Sequence, residues 1–211
     1  MPPYIVALTG ASGVIYGVRI VQELVKSGHA VALVISQAAR LVIQEELGVG
    51  LKSYTQAGEL EAVFGPLIKG KLQAFAPNDL AAPLASGSFP SSGMIIAPCS
   101  MGTLGAIAGG TVQNLIHRTA DCMLKEGRRL VLVPRETPLN AIHLENMLKL
   151  SRLGVSMVPA MPGFYAGAKS VDELVDFLVG KVLDQMGIEH FLYPRWTGKT
   201  SPAGSAHPGK I

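Results

Sequence analysis

Short runs of apolar residues alternate along the chain with longer segments in which apolar residues recur every three or four positions. The short runs predict buried strands, at residues 4–8, 30–35, 72–75, 94–97, 130–133 and 155–158. Continuously apolar strands that alternate with amphipathic helices are typical of a parallel sheet covered on both faces. The pattern therefore predicts an α/β fold with a doubly wound, Rossmann- or flavodoxin-like parallel sheet in a single domain.

Residues that favour helix ends define the predicted helices more closely. Ser12, Ser36 and Ser170 each precede a segment of helical periodicity and are predicted N-caps. Further helices are predicted from about Ser100 to Gly109, from Thr111 to Gly127 and from Pro138 to Leu153. Residues 47–71 predict a loop with at most a short helix, and residues 78–92 predict a long loop of the kind that often carries function. We expect one α/β domain over residues 1–197 and a disordered tail over residues 198–211.

Composition adds an expectation about assembly. The chain has 211 residues, of which 48% are hydrophobic and only 16% are charged, so intrinsic disorder is excluded. These charged residues are too few to cover the surface of a monomer. We therefore expect part of the apolar surface to lie in the interfaces of a homo-oligomer. The net charge of +3 is too small to indicate nucleic acid or an anionic membrane as a partner.

Three further features of composition limit the classes of protein. Residues 80–117 carry no Asp, Glu, Lys or Arg, but prolines, serines and glycines interrupt them, which favours buried loop, strand and packed helix over a membrane span. The five histidines and two cysteines show no metal-ligand spacing, so we expect no metal site. The start MPPYIVALTG lacks the features of a signal peptide, and we expect a cytoplasmic protein.

Small residues follow three of the predicted strands. These junctions are Thr9–Gly13, Ser36–Gln37 and Pro98–Thr103. Glycine lets a ligand approach the backbone, and a helix start offers free N–H groups to an anion. Ser36 stands where a dinucleotide site usually has an acidic residue, which favours a mononucleotide phosphate over NAD. For any one junction, a plain turn with a serine N-cap is about equally compatible.

A fourth junction places Arg135 and Glu136 after a strand. In that position they could act as an anion clamp and a general acid/base. On these two residues alone, an exposed ion pair near a helix start is the slightly better interpretation. Tyr165 follows the last predicted strand and is expected at the same edge of the sheet, where ligands bind in such folds.

Blocks distributed over residues 4–197 resemble the UbiX-type flavin prenyltransferases, within the homo-oligomeric flavin-containing decarboxylase-like superfamily. The matching blocks are TGASGVIYGVRIVQEL, ISQAARLVIQEE, ASGSF, IIAPCSMGTLGAIAGG, NLIHRTADCMLKE, RRLVLVPRETPL, HLENMLKLSRLG, PAMPGFY and PRW. The combination of TGASG, PCSMGTL and VPRETP is specific to that family.

The resemblance implies an activity. Such enzymes join the dimethylallyl group of dimethylallyl monophosphate to N5 and C6 of reduced FMN and use no metal. The product, prenylated FMN, serves a UbiD-type decarboxylase in ubiquinone or aromatic-acid metabolism. The family also implies a large homo-oligomer, a dodecamer, with sites at subunit junctions.

The resemblance also assigns residues, each by its position in the matching blocks. FMN would be held by Gly10, Ala11, Ser12, Ser36, Ser100, Met101, Gly102, Thr103 and Arg135. The prenyl phosphate would be bound by Tyr165, Lys181, Arg118, Lys125 and Arg135. The resemblance assigns proton transfer to Glu136. It adds Ser86, Glu46 and Lys125 as the other catalytic residues. Two positions depart from the family: Lys181 is often Arg there, and Leu80 is often Trp.

Other functions are open at this stage. A cysteine-peptide or phosphopantothenoylcysteine decarboxylase shares the fold, but characteristically has a His after the Gly/Ser loop, where this chain has Val14–Gly17. The chain could also be a flavin-carrying subunit of an aromatic-acid decarboxylase, or a non-enzymatic FMN-binding protein.

Overall fold

The computed structural model describes residues 1–195, whose centre is a six-stranded parallel sheet. The strands are β1 (Tyr4–Leu8), β2 (Val31–Ile35), β3 (Leu72–Phe75), β4 (Gly93–Cys99), β5 (Leu130–Pro134) and β6 (Ser156–Met157). Their order across the sheet is β3-β2-β1-β4-β5-β6, so the chain winds outward from β1 in both directions. The predicted doubly wound α/β fold is confirmed, and every predicted apolar run forms a strand.

Seven helices connect the strands or follow them in the described part of the chain. They are α1 (Val14–Lys26), α2 (Gln37–Leu47), α3 (Ala57–Phe64), α4 (Met101–Ala108), α5 (Leu115–Lys125), α6 (Ala141–Arg152) and α7 (Val171–Met186). Short 3-10 turns lie at Pro66–Ile68, Pro83–Ala85 and Phe164–Ala166. No helix within residues 1–195 is both long and apolar enough to cross a membrane.

The alternation of side chains along β1 separates two hydrophobic cores. Val6 and Leu8 face the core formed with α1 and α7, whereas Ile5 and Ala7 face the core formed with α4 and α5. Strands buried on both faces must be apolar at every position, which is why short apolar runs predicted them so well. Because the sheet lies between α5 and α7, residues of these two helices are on opposite sides of the molecule.

Three predicted or implied serine caps are present, but the one at Ser12 is not. Ser36 and Ser100 accept hydrogen bonds from the N–H groups of residues 39 and 103, and Ser170 caps α7 in the same way. At α1 the N-cap is Gly13, whose φ is 97°. Ser12 lies one residue before this position and is exposed. The carboxylate of Glu46 accepts the N–H groups of Gly13 and Val14 instead.

Two helices begin later than predicted because asparagines cap them. Helix α5 begins at Leu115, four residues after Thr111, and the side chain of its N-cap Asn114 accepts the N–H of His117. Helix α6 begins at Ala141, three residues after Pro138, and its N-cap Asn140 forms a capping box with His143. The predicted disordered tail at 198–211 lies outside the described residues.

Candidate functional site

The loops after β1, β4 and β5 are fixed to one another at the carboxyl edge of the sheet. Thr9 donates its hydroxyl to the carbonyl of Pro98 at 2.8 Å and accepts the N–H of Ser100 at 2.8 Å. The N–H of Arg135 donates to the carbonyl of Cys99 at 3.3 Å. Three of the four predicted junctions therefore form one rigid edge, and ligands of such sheets bind at this edge.

The remaining junction, Ser36–Gln37 at the start of α2, packs directly against the first. Ser36 donates its N–H to the carbonyl of Leu8 at 3.0 Å. A Cβ atom on Gly10 would lie only 2.4 Å from the Cβ of Ala38, so this contact requires glycine. By contrast, no atom lies within 4 Å of a Cβ built on Gly102, which leaves open space beside α4. The structure thus places Gly10, Ser36 and Gly102 around one edge, as predicted from their junctions.

Two of the helix starts at this edge are available to an anion. The first N–H groups of α2 and α4 have no intrahelical acceptor, and Ser36 and Ser100 occupy only the third N–H of each helix. The start of α1 is different, because Glu46 already places a carboxylate there. An incoming phosphate at α1 would meet that negative charge. Of the residues assigned to FMN, Ser12 is therefore placed beside an occupied helix start.

Arg135 and Glu136 line a cavity of about 80 Å³ after β5. Its wall consists of Met101, Pro134, Arg135, Glu136, Thr137, Leu139, Met147, Pro159, Ala160 and Met161. Among residues 1–195, Nε of Arg135 is the single buried side-chain nitrogen or oxygen without a hydrogen-bond partner. Leaving a buried donor unpaired costs about 1–3 kcal/mol, so the cavity fits a ligand that brings an acceptor.

Glu136 is exposed at the mouth of this cavity. Its carboxylate accepts the N–H of Thr137 at 3.1 Å, and no salt bridge within the described chain joins it to Arg135. The simple ion pair considered from the sequence is therefore absent from the described residues. The carboxylate of Glu136 is therefore accessible to a molecule bound in the cavity.

Ser86, Arg118 and Lys125 lie together as a second group, which we name the α5 cluster. Nε of Arg118 donates to the carbonyl of Ala85 at 2.9 Å, directly before Ser86. Nζ of Lys125 lies 2.6 Å from the position of a Cβ on Gly87, so it reaches the same loop. The hydrogen bond to Glu126 raises the pKa of Lys125, which keeps this side chain cationic.

Tyr165 and Lys181 form a third group with Phe177, which we name the α7 cluster. The ring of Tyr165 contacts the buried ring of Phe177 edge-on, with centroids 5.4 Å apart. Nζ of Lys181 lies 5.5 Å from the centroid of Phe177. Two of the five predicted donor-binding residues, Tyr165 and Lys181, therefore lie against one aromatic ring.

One copy of the chain does not bring the α5 and α7 clusters together. The α5 cluster lies on the face of the sheet covered by α4 and α5, and the α7 cluster lies on the opposite face. Lys125 and Lys181 therefore cannot contact the same phosphate within one chain. A site that uses both must include residues of more than one copy.

Part of the cavity wall was not predicted from the sequence. Pro159, Ala160 and Met161 follow β6 and line the same cavity as Arg135. Their position after a strand, in the block that also contains Tyr165, was the signal that could have identified them. The capping role of Glu46 had no local signal, because it spans 33 residues of sequence.

Comparisons with known proteins identify the family of the chain. The Flavoprotein family model matches residues 2–183. The flavin prenyltransferase UbiX of Halalkalibacterium halodurans is 55% identical over 196 residues, covering 92% of each chain. That of Pseudomonas aeruginosa is 49% identical over 191 residues, covering 90% of this chain and 91% of its own.

Solved structures separate the close relatives from those that share only the fold. The crystal structure of AnUbiX (PadA1) in complex with FMN and dimethylallyl pyrophosphate is 40% identical with a TM-score of 0.82, covering 94% of this chain and 98% of its own. The dodecameric FMN-dependent UbiX-like decarboxylase from Escherichia coli O157:H7 is 45% identical with a TM-score of 0.81, covering 93% and 100%. The peptidyl-cysteine decarboxylase EpiD has 15% identity and a TM-score of 0.56, which shows the fold alone. The chain therefore belongs to the flavoprotein family, among its UbiX-type flavin prenyltransferases.

Proposed function

We propose that this protein transfers a dimethylallyl group from dimethylallyl monophosphate to N5 and C6 of reduced FMN. The observation that carries the proposal is the cavity at the carboxyl edge, where the unpaired buried donor of Arg135 and the exposed carboxylate of Glu136 stand together. Relatives with 49–55% identity are named flavin prenyltransferases, whereas the cysteine decarboxylase shares only the fold.

The edge fits FMN by the chemistry of its donors. The starts of α2 and α4, with Ser36 and Ser100, would hold the phosphate, and the open space beside Gly102 admits a ligand close to the backbone. Nε of Arg135 would donate to an acceptor atom of the ligand. When bound and reduced, FMN supplies the electron-rich ring that accepts the prenyl group.

The residues of the chain would assist departure of the donor phosphate. Breaking the C–O bond of a dimethylallyl phosphate leaves negative charge on the phosphate, and fixed cations at that point stabilise the transition state. Arg118, Lys125, Arg135 and Lys181 supply such cations, and Tyr165 supplies a hydroxyl. Glu136 would exchange the protons that the phosphate and the flavin gain or lose.

Assembly would complete the site. The α5 and α7 clusters lie on opposite faces of one chain, so we infer a homo-oligomer in which different copies bring them to the cavity of Arg135 and Glu136. The E. coli relative is dodecameric, and we propose the same assembly here. We further propose a cytoplasmic location, which suits the free thiols of Cys99 and Cys122, and delivery of the product to a UbiD-type decarboxylase.

The purified protein alone tests the activity. It is incubated without oxygen with reduced FMN and either dimethylallyl monophosphate or dimethylallyl pyrophosphate, and the flavin is analysed by absorbance and mass spectrometry. A flavin heavier by one prenyl group, formed without a partner protein, is the expected result. Decarboxylation of a peptide with a C-terminal cysteine would replace this proposal with a cysteine-type decarboxylase. FMN binding without any adduct would replace it with a flavin-carrying subunit or a non-enzymatic FMN-binding protein.

A further inference from the structure

Residues 189–195, which we name the docked segment, fold back onto α7 and are held there by Asp184. Arg195 donates to both carboxylate oxygens of Asp184, at 2.7 and 2.9 Å. The hydroxyl of Tyr193 donates to the same carboxylate at 2.9 Å, and Nε2 of His190 lies 3.2 Å from it. One carboxylate thus binds three side chains of the segment.

Gly180 provides the surface on which the docked segment lies. A Cβ on Gly180 would lie 2.4 Å from the ring of Tyr193 and 2.5 Å from the ring of His190. Glycine is disfavoured in a helix interior, yet here it lets two rings approach the helix backbone. This contact is independent of the Asp184 hydrogen bonds and indicates that α7 is shaped to receive the segment.

The docked segment contributes a wall to the position of Lys181. The ring of Tyr193 packs on Phe177 with centroids 5.0 Å apart. Nζ of Lys181 lies 5.4 Å from the centroid of Tyr193 and 5.5 Å from that of Phe177, so both rings attract the ammonium group. Without Tyr193, the ammonium would keep a single aromatic neighbour in the described structure.

We propose that Asp184 and Gly180 are positioning residues for the prenyl donor, because they dock Tyr193 and so fix the ammonium of Lys181 beside Tyr165. This inference rests on the proposed function. A lysine carries a point charge on a flexible four-carbon stem, so its position must be set by its neighbours. Undocking the segment would leave the charge of Lys181 intact but let it move, which weakens donor binding and spares FMN binding.

Asp184→Asn and Gly180→Ala in the full-length FMN-bound protein test this inference. We expect each to raise the KM for dimethylallyl monophosphate by about tenfold, with a smaller change in kcat and an unchanged Kd for FMN. Trypsin should also cut after Arg195 faster in both variants, because the arginine is no longer held. Alanine favours a helix more than glycine does, so a loss in Gly180→Ala cannot be ascribed to a weaker α7.

Asp176→Asn is the matched control. It removes the same charge from the same helix, but its partner is Arg19 of α1, at 2.7 Å, and not the docked segment. We expect it to change neither the donor KM nor the cleavage after Arg195.

Three outcomes would overturn the inference. Faster cleavage with an unchanged donor KM would show that docking does not position Lys181. Unchanged cleavage in both variants would show that Asp184 and Gly180 do not hold the segment. Parallel losses of FMN affinity, donor affinity and thermal stability would indicate a structural role only. If the wild-type protein forms no adduct, the proposed function fails, and cleavage after Arg195 still reports on docking.

Discussion

Both carboxylate oxygens of Glu46 accept a hydrogen bond from the backbone N–H of Gly13, at 2.9 and 3.0 Å. A side chain of α2 therefore occupies the start of α1, where a Rossmann fold that binds a dinucleotide places the pyrophosphate. The free helix starts at the same edge belong to α2 and α4. We therefore expect the FMN phosphate to bind at these two helices and away from Gly13.

Ser36→Asp tests the phosphate position. Aspartate caps a helix as well as serine does, so α2 should remain folded, but its negative charge would repel the phosphate. We expect the purified variant to contain little or no flavin, measured by absorbance. Ser170→Asp makes the same change at the cap of α7 and should retain flavin. Full flavin occupancy in Ser36→Asp would exclude the start of α2 as the phosphate site.

The prediction of the sheet succeeded because its signal is local. A parallel strand buried on both faces must be apolar at every position, and β1 was predicted with its observed bounds. The edge strand β3, where Gln73 is exposed, was also predicted with its observed bounds. The predicted cap of α1 was wrong because the observed one depends on a contact between Gly13 and Glu46, which are 33 residues apart. A local rule therefore assigned that cap to the adjacent serine.

In the candidate site, only the residues whose positions follow from the sheet topology were predicted to lie together. Strand ends meet at one edge of a parallel sheet, so Ser36, Ser100 and Arg135 were correctly expected near each other. The face on which Lys125 or Lys181 lies depends on how α5 and α7 pack, and the shared site that we propose for them depends on a second copy. Neither is encoded in the spacing of residues along the chain.

The outer surface of α6 should form a subunit interface. Ile142, Leu144 and Leu148 are 66%, 52% and 51% exposed, and Leu150 is the one buried residue of the helix. Such an apolar surface is unfavourable in water, so Leu148→Glu should reduce the mass measured by light scattering. Leu67→Glu, at an isolated exposed leucine, is the control. An unchanged assembly in Leu148→Glu would place the interface elsewhere.

Lys125 and Lys181 should act from different copies of the chain. At a donor concentration far below the KM of these variants, Lys125→Ala and Lys181→Ala should each be nearly inactive alone. When the two variants are co-expressed and assemble at random, about a quarter of the sites would combine an intact Lys125 with an intact Lys181 from separate copies. We expect that fraction of wild-type activity in the mixed oligomer. If mixing restores nothing, the two lysines do not share a site between copies.

The Asp184 contact should stabilise the fold only while its carboxylate is ionised. Although burial opposes ionisation, hydrogen bonds from Arg195 and Tyr193 lower the pKa of Asp184. A carboxyl group whose pKa is lower in the folded state stabilises the fold fully at pH values above its unfolded pKa, which is about 3.9 for aspartate. This stabilisation is lost as the pH falls through the folded pKa. The Tm difference between wild type and Asp184→Asn should therefore be constant near neutral pH and shrink below about pH 4. A difference independent of pH would contradict an ionic contact.

Glu136 should transfer protons during the reaction and should not be needed for FMN binding. Glu136→Gln keeps the size of the side chain and removes the titrating group, so FMN should bind normally. The rate of adduct formation should fall by about 10²-fold or more, because general acid/base catalysis contributes about that much. The measurement is a single turnover with reduced FMN in the absence of oxygen. Glu145→Gln changes an exposed carboxylate of α6 and should react at the wild-type rate.

Variants of the donor-binding residues should lose activity for a different reason than Glu136→Gln does. Tyr165→Phe removes a hydroxyl that we assign to phosphate binding, so a higher donor concentration should recover part of the rate. No donor concentration should rescue Glu136→Gln, because its donor still binds and the missing step is the proton transfer. If Glu136→Gln instead forms the adduct at the wild-type rate, the proton must come from another group. Glu46 would be the next candidate, although three backbone hydrogen bonds already hold its carboxylate at the start of α1.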